Sequence, residues 1–150
     1  MSYDFLLKDI HNNLTQKSIG TDKGLAKIGD GIVNLTYSIA KSIVLTQNSK
    51  NNKSIRTGAK VSKTILANAL KEANMKGFSR TRADAHDLAD TVEALVAYIW
   101  FIRKMTIEDI IHFLVESLDG NLTIRSEEIK SATIAFKNLL IEIKKHLPKS

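Results

Sequence analysis

Cysteine is absent from the sequence, and proline and tryptophan occur once each. Without cysteine there are no disulfides, thiolate metal sites or thiol nucleophiles, so any metal here has to be held by oxygen or imidazole. One proline and seven glycines in 150 residues speak against a turn-rich β protein. Acids are missing from a whole stretch: between Gly31 and Lys71 there is no Asp or Glu, while Lys41, Lys50, Lys53, Arg56, Lys60, Lys63 and Lys71 are basic. Long apolar runs are also lacking. The longest uncharged one, Ala94 to Ile102, falls well short of the roughly 20 residues that span a bilayer. Met1 to Asp9 contains Asp4 and Asp9 and no basic region followed by an apolar one, which argues against a signal peptide. A cytoplasmic protein with no membrane role is expected.

What is present suits one all-α domain spanning residues 1–150, since 43% hydrophobic residues suffice for a core. The periodicity predicts about six helices. The first covers 2–17 with Phe5, Leu6, Ile10 and Leu14, broken at Gly20. A second runs over 22–47 with Leu25, Ile28, Ile32, Leu35 and Ile39 as its apolar face. "NSKNNKSIRTG", residues 48–58, is polar and unperiodic and reads as an exposed loop. Further helices are predicted over 59–76, ended by Gly77; over 80–104, capped by Ser79; over 107–118, capped by Thr106; and over 127–147, capped by Ser126.

Two carboxylates interrupt the most apolar run, "LADTVEALVAYIW", residues 88–100. At about 100° per residue, Leu88, Val92, Leu95 and Ile99 line one side of that helix and Asp90 and Glu93 the other. A matching feature lies in "GLAKIGDGIVNL", residues 24–35, where Asp30 sits between Gly29 and Gly31. Each mid-helix glycine costs about 1 kcal/mol relative to alanine, which calls for a reason such as close helix packing. Two helices crossing closely would gather Asp30, Asp90 and Glu93 into an oxygen cluster suited to Mg²⁺ or Mn²⁺. Spacing alone equally allows three exposed acids paired with Arg82, Lys23 or Lys27. His86, one turn before Asp90, could orient or bind.

These two segments resemble the signatures of the ribonuclease III family. "LADTVEALVAYIW" looks like the second signature, whose Asp and Glu three residues apart match Asp90 and Glu93. "GLAKIGDGIVNLTYSIA", residues 24–40, looks like the first, whose Gly-Asp pair matches Gly29 and Asp30. "VSKTILANALKEANM", residues 61–75, is similar to the helix between them. The resemblance implies a dimeric all-α nuclease domain in which Asp30, Asp90 and Glu93 bind catalytic Mg²⁺ (Mn²⁺ being possible) with no small-molecule cofactor. It also implies an endoribonuclease of double-stranded RNA, working in RNA processing. Full-length bacterial members carry Glu at the positions of Lys23 and Ala26, the second being a metal ligand. Mini-type members lack that ligand, as this chain does, and have no double-stranded-RNA-binding domain.

In a homodimer with a groove between two sites, Lys50, Lys53, Arg56, Lys60 and Lys63, with Arg80 and Arg82, would contact phosphates across the minor groove of A-form RNA. The alternative, favoured by Ala26, is a catalytically weak or inactive relative that serves as a dimeric RNA-binding or ribosome-associated protein.

Overall fold

The computed structural model describes residues 2–150; Met1, the first residue of the stretch read for a signal peptide, lies outside them. Among the described residues all regular structure is helical: α1 (Lys8–His11), α2 (Gln16–Gly20), α3 (Lys23–Gln47), α4 (Lys63–Glu72), α5 (Ala85–Phe101), α6 (Ile107–Ser117) and α7 (Arg125–Lys144), with three short 3₁₀ turns. No helix among them is long and apolar enough to cross a membrane. Seven α-helices replace the six expected because the first predicted helix is two. Thr15 caps α2 through a reciprocal bond pair with Ser18, and this new start breaks the helix after Asn12.

α5 is the axis of the molecule and packs against α2, α3, α4 and α7. Apart from Asp90, every residue from Leu88 to Ile99 is buried, so the side carrying the acids is as enclosed as the Leu88, Val92, Leu95, Ile99 seam. Ala89, Ala94 and Ala97 make this possible by letting neighbouring backbones come close. Its N-cap is Asp84 rather than Ser79: Asp84 and Asp87 form a reciprocal capping box. Residues 80–84 thus form a turn instead of helix, with Arg82 at φ 59°.

The buried face of α3 differs from the predicted one. Leu25 and Ile32 are in the core, but Ile28, Leu35 and Ile39 are 41%, 50% and 37% exposed. Burial goes instead to Ala26, Gly29, Val33, Thr36, Tyr37, Ala40 and Val44. Close approach to α5 selects small side chains, and the large aliphatics are left as an outer stripe. Leu6 and Ile28 line one surface pocket, which extends that stripe toward the N-terminus. At the buried edge of α3, Tyr37 and Lys41 meet Glu128 of α7 at 2.8 and 2.7 Å, with Arg125 at 3.0 Å.

Residues 53–61 are a strap fastened along α3, not a free loop. The N–H groups of Ile55, Thr57, Ala59 and Val61 donate to Thr46 Oγ1, Ser42 Oγ, Ser38 Oγ and Asn34 Oδ1 at 2.8–2.9 Å. The match is geometric: four residues of helix rise about 6.0 Å and two residues of extended chain about 6.6 Å. Each rung therefore meets the next side chain of the series. Odd-numbered residues face the helix, and Arg56, Gly58 and Lys60 face outward.

Two helix ends also differ from expectation. α4 ends in a Schellman turn, with Asn74 at φ 58° and Met75 N–H donating to the Leu70 carbonyl, before Gly77 is reached. α7 begins at Arg125 with no side-chain cap, which places Ser126 inside the helix.

Candidate active site

The site begins at one glycine. A Cβ built on Gly29 would lie 1.7 Å from the Glu93 carbonyl oxygen, 2.4 Å from its carbon and 2.9 Å from its Cα. Only glycine lets α3 and α5 cross there, and the crossing sets Asp30 beside Glu93. Gly31 has no such reason, since a Cβ there would meet nothing within 4 Å. A second tight contact anchors the neighbouring segment: at Gly20 a Cβ would be 2.2 Å from the Phe78 carbonyl oxygen. The Gly20 carbonyl there accepts the Thr91 hydroxyl at 2.7 Å.

Asp30, Asp90 and Glu93 line one pocket of about 230 Å³ together with Lys23, Ala26, Lys27, Lys63 and His86. A wider groove of about 700 Å³ lies elsewhere, between the strap and the C-terminal half of α3. It is lined by Ile39, Ile43 and Ile55 and has no acid in its wall.

Glu93 is only 3% exposed. Burial, followed by a hydrogen bond to Asp30, pushes its carboxyl up to about 8, so without a cation it holds a proton at neutral pH. Asp30 receives that hydrogen bond and moves the other way, below the ordinary carboxylate value, helped by Asn34. Asn34 Nδ2 donates to Asp30 Oδ1 at 3.1 Å while its Oδ1 takes the Val61 N–H, so one side chain ties the acid to the strap. Asp90 is held by two ammonium groups. Lys23 Nζ lies 3.0 Å from Oδ2 and Lys63 Nζ 3.6 Å from Oδ1; Lys63 is also 3.7 Å from Glu93. His86 Nε2 stands 3.7 Å from Asp90.

The three predicted acids therefore come together, and one predicted basic residue, Lys63, joins them. Lys60 stands close enough for its field to favour ionised Asp30. Arg80 is engaged elsewhere, gripping Asp87 at 2.6 Å. Lys50, Lys53, Arg56, Lys60 and Arg82 are exposed, the first four on or beside the strap that leads to Asn34 and Asp30. Asn34 is the functional candidate without a role in the sequence reading, whereas Lys23, expected there as a partner of the acids, pairs with Asp90. Asn34 had a signal, lying four residues from Asp30 on the same helix face.

The donor set fits a hard divalent cation: all three acids offer oxygen, and a buried carboxyl that shares its proton with a neighbour gains from exchanging that proton for a metal. Among the described residues no three His, Cys, Asp or Glu side chains already enclose a metal position. No curated protein matches the sequence. The family model described as Ribonuclease III matches residues 23–149, and the chain belongs to that family.

Proposed function

We propose that the protein is a Mg²⁺-dependent endoribonuclease that hydrolyses phosphodiester bonds in double-stranded RNA as a homodimer. Family membership supports an endonuclease acting on RNA. The observation that carries the finer reading is the Gly29–Glu93 crossing, which puts Asp30, Asp90 and Glu93 on one pocket. When bound, a divalent cation supplies activation of water and neutralises charge on the phosphoryl group. Asp30, Asp90 and Glu93 would hold it, and Glu93 would have to give up its proton to do so. Asn34 fixes the Asp30 carboxylate, and Lys63 brings positive charge to the edge of the pocket where a phosphate would enter.

The exposed stripe of Ile28, Leu35 and Ile39 supports a dimer, because large aliphatics aligned on one helix face offer apolar area that association would bury. Two sites in a dimer suit a duplex with two strands to cut. Outward-facing Arg56 and Lys60, with Lys50, Lys53 and Arg82, suit its phosphates, and Mn²⁺ suits the same oxygen ligands. A second reading, RNA binding without cleavage, is favoured by Ala26, which brings no ligand to the pocket, and by the ammonium groups on Asp90.

Purified protein incubated with long duplex RNA and with single-stranded RNA, in Mg²⁺ and in EDTA, separates them. The first reading requires fragments from the duplex in Mg²⁺ alone. Tight duplex binding with no fragments in Mg²⁺ or Mn²⁺ establishes the second.

A further inference from the structure

We propose that Lys23 and Lys63 are resident cations of the acid cluster and limit it to one divalent ion per chain. The inference rests on the metal-dependent reading above and specifies its stoichiometry. Both oxygens of Asp90 are engaged, Oδ2 by Lys23 at 3.0 Å and Oδ1 by Lys63 at 3.6 Å. Lys63 also spans to Glu93 Oε1 at 3.7 Å, so its ammonium bridges two of the three acids. Lys23 covers the opposite side of Asp90 and reaches Asp87 Oδ1 at 3.7 Å.

The two side chains come from separate elements. Lys63 opens α4 directly after its N-cap Ser62, and Lys23 opens α3 after its N-cap Asp22. Each is thus placed by a fixed helix start, although both tips remain partly exposed and can move aside.

Charge decides the count. Once Glu93 has lost its proton, three carboxylates face the three ammonium groups of the wall, Lys23, Lys27 and Lys63, and the pocket is neutral. One divalent ion together with a phosphodiester leaves a single positive charge, whereas a second ion would leave three in about 230 Å³. Ala26, in the same wall, offers no oxygen to offset that. The lysines accordingly take over the part a second ion would play, holding positive charge against the phosphate.

The test is Mn²⁺ titration of the full chain without RNA, counting bound ions from the loss of the free-ion electron paramagnetic resonance signal. Wild type and a Lys23→Met/Lys63→Met variant are compared, with circular dichroism to verify the fold and Lys23→Glu as a second variant. The expected result is one ion per chain in the wild type and two in either variant, the first bound at least tenfold tighter than in the wild type. Two ions in the wild type, or one in both variants, overturns the resident-cation role and leaves the nuclease reading standing. No saturable binding by any of the three proteins overturns both.

Discussion

Replacing Gly29 by alanine tests the helix crossing on which the site depends. The added Cβ would sit 1.7 Å from the Glu93 carbonyl oxygen, and the three nearest atoms all belong to the Glu93 backbone, so no rotamer change relieves the clash. Restoring ordinary contact needs α3 and α5 to part by roughly 1.7 Å. Overpacking of this kind costs about 3 kcal/mol, and the better helix propensity of alanine returns about 1, for a net loss near 2 kcal/mol. For a chain of this size that lowers the melting temperature by about 6 °C. Gly31→Ala, two residues along, meets nothing within 4 Å and should gain about 1 kcal/mol from propensity alone. Urea titration followed by circular dichroism, at one fixed protein concentration, reads both. A Gly29→Ala protein as stable as the wild type, or a Gly31→Ala protein that loses as much, would refute the close-approach argument.

Three further outcomes follow from named contacts. Asn34→Ala should cost about 1–2 kcal/mol, because the Val61 N–H loses its acceptor, and should lower kcat more than it raises KM, because Asp30 loses its tether. An unchanged kcat would remove Asn34 from the site. Glu93, raised in the fold to about 8 from 4.5, lends stability that is complete below pH 4.5 and is lost as pH rises through 8. The metal-free protein should therefore weaken by up to about 4 kcal/mol over that range, and Glu93→Gln should abolish the slope in pH-dependent urea unfolding. Asp30, being lowered, acts oppositely: its share is present above pH 3.8 and is lost as pH falls below that. Leu35→Lys, at a position 50% exposed, should leave the circular dichroism spectrum intact and shift sedimentation from dimer to monomer; a dimer that survives would relocate the interface.

Much of this molecule is legible in local sequence. The bounds of α3 follow from its apolar period and those of α6 from its period and the Thr106 cap. The acids of the site are marked by rule-breaking: a glycine at 29 in mid-helix, and carboxylates inside an apolar run. Which face of α3 is buried is not legible, because periodicity identifies two stripes and says nothing of what lies against each. The larger residues, Ile28, Leu35 and Ile39, attract the assignment, while the α5 crossing requires the smaller ones. The strap is hidden for a related reason: its bonds join residues 9 to 27 apart, and only the Asn34, Ser38, Ser42, Thr46 series, polar at every fourth position, hints at a partner. Caps mislead where two are available, as with Ser79 and Asp84, and the reciprocal pair with Asp87 decides.

Asp30, Asp90 and Glu93 are proposed to act as one site. Single-turnover cleavage of long duplex RNA in Mg²⁺, by wild type, Asp30→Asn and Glu93→Gln, measures it most directly, with circular dichroism and RNA-binding controls. Each substitution is expected to lower the rate at least about 100-fold while folding and duplex binding persist. Cleavage at the wild-type rate by either variant would contradict the account.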